Sequence, residues 1–343
     1  MAQAITPIHA GFTTRPHMGG ALSDVDQHLE KYDGIRDSRF QYHSQFLALS
    51  SQRSVADETN NYRIDRLNTS EVKGRGVGDD ILAQKVTSDK VNIIVEMMMY
   101  IRNPIDYLDQ WTSPDYLPDT ARNNGTAFAK AYDEAHIIRL QKARDWTAPA
   151  HLKPAFNDGM SVDVTVKSGT ALTAQDLTQN AEALYLAIGK LVEEMTIRDV
   201  PLDDMICLVT PRRFSELLEH PKLLNKDFTA ENGDYAGRRI VHVQGITVVQ
   251  STAFPKAAVT NHILSTTVNG NAFNATAEDI KGEIIIFSKS MSLITVTAKP
   301  FTSRMYDDQS NMTWVLDCYT MYTVDLRRPD TVGVVMVTEE PAV

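Results

Sequence analysis

Residue types that carry catalysis are all present in this chain, but they are nowhere at a working spacing. The densest glycine cluster, Gly74-Arg-Gly-Val-Gly78, could cradle a phosphate only with a helix N-terminus behind it and Lys-Ser/Thr after it. Asp79 and Asp80 follow instead, in a polar stretch that reads as a flexible tip. The nine histidines are scattered. No His-x-x-x-His or Glu-x-x-His pair would turn two ligands toward one metal ion on a helix. No Gly-x-Ser-x-Gly elbow occurs. Met97-Met-Met99 alternates across a strand pattern and reads as core filling plus an interface contact. The only cysteines, Cys207 and Cys318, lie in apolar runs and read as buried free thiols of a reducing compartment. These patterns predict no catalytic residue, no cofactor and no metal.

What remains is charge without a pocket. Arg53, Arg63, Arg66, Lys73 and Arg75 recur along one segment, with Glu71, Asp79 and Asp80 among them. Mixed charge on a projecting segment suits salt bridges between subunits, although exposed pairs contribute little individually.

The elements that would position these residues are a hairpin and a long helix. Gln52–Ala56 and Asn61–Leu67 alternate polar and apolar, and Lys85–Ile101 reads as the returning strand. A two-stranded hairpin is marginal alone in water, so a projecting one implies a supporting chain. Residues 119–146 read as one helix, with Phe128, Ala131, Ala135 and Ile138 on one face. Lys130, Asp133, Glu134, Arg139 and Lys142 fall mostly elsewhere and read as solvated, and His136 reads as packed or at the surface. Gly125 weakens the first turns and marks a place for a bend.

Elsewhere the chain reads as α+β. Residues 1–21 lack periodicity and read as an arm. Ser23 would cap a short helix that Gly34 interrupts, with a second piece over Ile35–Leu47. A strand is expected at Val162–Val166, and Thr173 caps a helix over Ala174–Met195. Met205–Thr210 is a continuous apolar strand, and Thr210-Pro211 opens a helix to His220. Strands broken at Gly245 follow within Gly237–Ser251, then a polar stretch, Thr252–Lys281. Glu283–Ser288, Leu293–Thr297, Met312–Val324 and Val332–Val337 close the chain as strands.

At 343 residues and a net charge of -10, the chain can bury a substantial core and lacks the basic face of a dedicated nucleic-acid binder. The N-terminus has no basic n-region or apolar h-region, and no run reaches the ~20 apolar residues of a membrane span.

The order of parts resembles tailed-phage major capsid proteins of the Hong Kong 97-like fold, in particular those of short-tailed phages of the coliphage T-seven type. Three stretches carry the resemblance: Lys85–Trp146; Val200–Phe214 with Gly237–Ser251; and Leu326-Arg-Arg-Pro-Asp-Thr-Val-Gly-Val-Val-Met-Val337. It implies an N-terminal arm over 1–50, an extended E-loop hairpin over 51–95, and a P-domain over 96–159 with spine helix 119–146. It further implies an A-domain over 160–300 and closing P-domain strands over 301–343.

The implied function is a major capsid protein that self-assembles as hexamers and pentamers into an icosahedral shell. That shell would enclose double-stranded DNA without sequence-specific binding and without a membrane. Arg63, Arg66, Glu71, Lys73, Arg75, Asp79 and Asp80 become candidate inter-subunit contacts. A separate scaffolding protein and a portal are implied partners, and a cement protein is an optional one. Assembly would occur in the bacterial host cytoplasm and end in the virion capsid. Some relatives join an E-loop lysine to a neighbour's asparagine; Lys73 is the only lysine near the tip, but no matching acceptor or acid motif accompanies it. Two alternatives stand beside this reading: the shell of an encapsulin-like bacterial compartment, which shares the fold, and a soluble α+β enzyme, which the missing constellation disfavours.

Overall fold

The computed structural model describes residues 24–55, 59–81, 83–108, 116–153, 155–170, 172–224 and 242–341. The arm over 1–21, the Ser23 cap and residues 237–241 therefore lie outside the described residues. By contacts the chain divides into two units, the first made of 1–44, 98–132 and 299–321 and the second of 45–97, 133–298 and 322–343.

The first unit sets helix α1 (Asp24–His43) on the front part of helix α2 (Tyr116–Lys142). Aromatic rings fill the contact. Phe40 meets Tyr132 edge-on at 5.4 Å and Phe301 at 4.7 Å, and Phe128 meets Phe301 at 5.1 Å. Arg36 is buried in this cluster, where Asp33 and Asp37 each pair with it at 2.7 Å. It also donates to Ser303 and, at 3.1 Å, to the Cys318 sulfur. Burial pushes the Cys318 thiol up and outweighs the nearby guanidinium. Asn124 links Tyr32 and Asn103 at 2.7 and 2.8 Å.

Gly125 explains the closeness of the two helices. A Cβ there would stand 2.5 Å from the Arg36 carbonyl oxygen. Helix α2 runs unbroken through Gly125 from 116 to 142, and the glycine serves as the crossing point. Gly34, by contrast, interrupts nothing: α1 continues through it, and nothing approaches its Cβ position. On the sheet side, strand β4 (Met99–Asp106) pairs antiparallel with Thr313–Thr320. Pro104 is tolerated because β4 is an edge strand.

The second unit holds a six-stranded sheet in the order β5-β12-β9-β6-β8-β7. Its strands are β5 (Met160–Ser168), β6 (Met205–Val209), β7 (His242–Val243), β8 (Ile246–Gln250), β9 (Gly282–Ser288) and β12 (Val332–Pro341). Helix α3 (Ala174–Ile197) lays Leu184, Ile188, Leu191 and Met195 on it. Its cap is a full capping box, in which the Thr173 hydroxyl receives the Asp176 N–H while the Asp176 carboxylate accepts back. Helix α4 (Pro211–Leu217) starts at Thr210 as its sequence dictates. Gln244 and Gly245, both at positive φ, form the two-residue turn between β7 and β8. Cys207 is fully buried in this core, and burial pushes its thiol up to about 12.

One buried residue of this unit has no counterpart in the sequence reading. Arg213 is 1% exposed and pairs with Glu216, Glu283 and Glu339. Through them it ties α4 to β9 and to the last strand. Burial pushes the Glu339 carboxyl up, but Arg213 and Arg212 outweigh burial and hold it below its ordinary value.

Several strand expectations change. Ser51–Ser54 (β1) does not enter a hairpin; it pairs in parallel with Ile294–Thr297 of β10 (Leu293–Asp308), which extends well beyond the expected Thr297. The expected return strand splits into β3 (Ser88–Ile94) and β4, because the two segments pair with different partners. Asp133 is not solvated. It is 4% exposed and accepts the N–H groups of Gln45 and Phe46 at 2.9 and 3.2 Å, capping the single turn Phe46–Leu49. His136 is fully buried, stacked on Phe46 at 4.9 Å and bonded to the Thr295 hydroxyl at 2.7 Å.

Two predictions follow from these contacts. Replacing Gly125 by Ala gains ~1 kcal/mol of helix propensity, but overpacking of a closed contact costs about 1–3 kcal/mol. The obstacle is backbone, so overpacking wins: Gly125→Ala lowers the urea midpoint, and a raised midpoint contradicts the crossing. Arg213→Ala strands carboxylates around an empty site and destabilises by about 3–5 kcal/mol, whereas Arg213→Met loses less; denaturation midpoints of the two variants give the comparison.

Candidate assembly interface

The charged segment forms a two-stranded ribbon. β2 (Asn61–Leu67) pairs antiparallel with β3 in the register Asn61↔Ile94 to Leu67↔Ser88. Such a ribbon has no core of its own. Its root is held by Arg66, which is only 9% exposed and lies on the same face as half-buried Tyr62 and Ile64. The guanidinium donates to the Arg327 carbonyl at 3.1 Å and the Leu326 carbonyl at 2.9 Å, and lies 5.5 Å from the centre of the Trp146 ring. Burial pulls its pKa down, against the pull of Asp325, Asp89 and Asp330. Asn68 adds bonds to the His151 and Lys153 carbonyls at 3.2 Å each, and the Thr87 hydroxyl donates to the His151 carbonyl at 2.5 Å.

Beyond this root the described residues of 69–86 are exposed. The structure brings Glu71, Lys73, Arg75, Asp79 and Asp80 onto one projecting loop and leaves Arg63 exposed on the ribbon opposite Asn92. Arg53 falls outside it, on β1. Of the contact candidates, Arg66 is the one whose guanidinium is engaged within the chain, through Nε and one terminal nitrogen. The Asp79 carboxylate receives the Gly76 N–H at 3.1 Å, which folds the tip back at Gly78.

Sequence reasoning overlooked the apolar side chains of this loop. Val72 is 97% exposed, Val77 109% and Ile81 81%. Three large apolar side chains this exposed on one short loop make it a candidate interaction surface. Their signal was available, as three β-branched residues in a stretch otherwise made of charge and glycine. Of the helix set, Phe128, Ala135 and Ile138 are buried and Ala131 is half-buried. Among the described residues, no group of three or more His, Cys, Asp or Glu is placed to hold a metal ion, and no helix is long and apolar enough to cross a membrane.

Comparison with solved structures accounts for this arrangement. A capsid chain from the mature capsid of bacteriophage PhiM1 superposes with a TM-score of 0.76 at 38% identity, over 86% of this chain and 87% of that one. The capsid structure of the cyanophage P-SCSP1u gives 0.71 at 18% identity, over 87% and 89%. A virus-like particle from Pyrococcus furiosus gives 0.54 at 11%, over 89% and 98%, and shares the fold. No family model and no curated protein matches the chain. Identity of 38% over most of both chains is family kinship, beyond likeness of fold. The chain belongs to the phage major capsid proteins of the Hong Kong 97-like fold. It is the structural subunit of an icosahedral shell.

Arg66→Ala leaves two buried carbonyls without donors and costs about 1–3 kcal/mol. Because the ribbon hangs on this residue, the variant is cut faster by protease within 69–87 while the far-ultraviolet spectrum stays native. Unchanged cutting would show that the root is held elsewhere.

Proposed function

We propose that this chain builds hexamers and pentamers of a shell that encloses double-stranded DNA in a virion, and that the ribbon β2–β3 and its loop lap onto a neighbouring subunit. The observation that carries the reading is the loop itself: exposed Val72, Val77 and Ile81, flanked by charges of both signs, beyond the Arg66 end of the ribbon. A lapping arm supplies the large interface that a closed shell of repeated subunits requires. A net charge of -10 keeps the shell from gripping DNA, since cation contacts dominate such binding.

In this reading 1–50 act as the N-terminal arm, the ribbon within 51–95 is the E-loop, and 96–159 with 301–343 form the P-domain around the spine helix. Residues 160–300 form the A-domain. The chain performs no catalysis, assembles in the host cytoplasm with a separate scaffolding protein and a portal, and accepts a cement protein where one is encoded. Within the family, our reading puts it with capsid proteins of short-tailed phages of the coliphage T-seven type, supported by the resemblance of Lys85–Trp146, Val200–Phe214 with Gly237–Ser251, and Leu326–Val337. The compartment reading has a shared fold in its favour, through the Pyrococcus furiosus particle, but at 11% identity against 38% for the phage capsid.

Deleting residues 69–80 tests the arm. Asn68 stays, so the root remains tied. The expected product is a folded subunit by circular dichroism that forms no closed particles by electron microscopy, with or without scaffold. Normal particles from the deletion would remove the ribbon from assembly. Heads of the intact chain filled with DNA, and not with protein cargo, separate the virion from the compartment.

A further inference from the structure

The polar stretch between β8 and β9 contains a closed loop built on one histidine. The His262 N–H donates to Asn274 Oδ1 at 3.2 Å, and the His262 carbonyl accepts from the Ser265 N–H at 2.9 Å. The ring nitrogen Nδ1 accepts the N–H of Leu264 at 3.1 Å. That bond assigns the proton of the neutral ring to Nε2. The ring stacks on Phe273 at 5.6 Å and 21°, and Phe273 is 2% exposed. His262 thus ties the start of the loop to its far end and to Leu264, while Asn269 holds the turn between, accepting from Thr266 and Ala272 at 3.0 and 3.3 Å and donating to the Leu264 carbonyl at 2.7 Å.

The loop also holds the ribbon. The Thr266 hydroxyl donates to the Glu96 carboxylate, two residues beyond the end of β3. Charged groups around the loop come from two further elements. The Arg139 guanidinium of α2 lies 5.6 Å from the centre of the same Phe273 ring, and Asp325 pairs with Arg139. A cavity of about 250 Å3, lined by Asn92, Glu96, Arg139, Asn269, Phe273 and Asp325 among others, adjoins the loop and gives water a route to it.

We propose that His262 is an acid-sensitive latch: its neutral ring closes loop 262–274 over the exit of β3, and its protonation opens the loop and releases Glu96. The physical reason is local. A proton on Nδ1 would face the Leu264 N–H, so an acceptor becomes a second donor and the bond is lost. The new positive charge also stacks on a ring that already carries Arg139. The Asp325 charge is met by Arg139, the Glu96 carboxylate holds the Thr266 hydroxyl, and burial alone sets the direction of the His262 shift.

The sign is fixed by linkage. Burial pulls the His262 pKa from 6.5 down to about 4 in the closed loop. The open loop binds the proton better, so closure is complete above pH ~6.5 and weakens as pH falls toward ~4. Between pH 8 and pH 5 the open population rises roughly ten- to thirty-fold.

Hydrogen–deuterium exchange on the full-length unassembled chain tests the latch independently of any role of the ribbon in shells. After correction for intrinsic exchange, protection over 262–274 falls by that factor at pH 5, and protection around Glu96 falls with it. His262→Gln keeps an acceptor but does not titrate, so its protection is the same at both values. Equal loss in the wild type and in His262→Gln overturns the proposal, as does no loss in the wild type. Should His262→Gln fail to fold, the His262 ring resonance decides alone: titration near 6.5 overturns the latch, and titration near 4 to 5 with loop opening upholds it.

Discussion

A two-stranded ribbon in water is held only by what grips its root. Here one grip is a guanidinium, Arg66, the buried end of the strand face that half-buried Tyr62 and Ile64 share. Its two bonds to the carbonyls of 326 and 327 fix the ribbon to the end of the last long strand. Trp146 fixes it to the segment just after α2. Arginine suits this place better than lysine. A planar fork reaches two carbonyls at once while its face lies against an indole. The loop can then extend without a core, because the position of its base does not depend on its own packing.

The same device recurs. Arg36 in the first unit and Arg213 in the second are both 1% exposed, and each is surrounded by acceptors from separate segments. Arg36 draws α1 onto Ser303 and Cys318, and Arg213 draws α4 onto β9 and the C-terminal strand. Buried ion pairs add little net stability over well-packed apolar residues, but breaking one is severe. Their effect is on uniqueness: Arg213 satisfies Glu283 and Glu339 in only one arrangement of strands. A subunit repeated many times in one shell gains from having its segments joined in a single way.

Much of the fold was readable in sequence because its signals were local. The capping box at Thr173, the Thr210-Pro211 start, the apolar run of β6 and the turn at Gly245 each require only neighbouring residues, and each is found within a few residues of its expected place. The errors concern partners distant in sequence. Ser51–Ser54 alternates as a hairpin strand would, but its partner is at 294–297, and nothing in four residues reveals that. Asp133 carries the sequence pattern of a surface carboxylate and is buried because Gln45 and Phe46 bring bare N–H groups to it. Arg66 reads as one charge of a projecting segment for the same reason, and Arg36 and Arg213 carry no local sign of their burial. Gly125 was noticed for what it does to a helix alone, whereas its role comes from the Arg36 carbonyl that crosses it. Within the ribbon, charge drew the eye, and the three exposed apolar side chains say more about a covered surface.

Charge and burial also explain where the perturbed groups of the described residues lie. The strongly perturbed groups are dispersed and already engaged. Cys207 is raised by burial among aliphatic side chains. Tyr32, raised to about 12, is raised chiefly by burial and accepts from Asn124. Asp176 is lowered to about 2 by Lys167 and by the cap it forms. A catalytic centre brings perturbed groups together around open space, and these sit in separate places, each satisfied by its own neighbours. The perturbation is the product of packing, and it is used to join segments. The three most exposed large apolar side chains among the described residues, Val72, Val77 and Ile81, lie on the loop beyond Arg66, and in the proposed reading a neighbouring copy covers them.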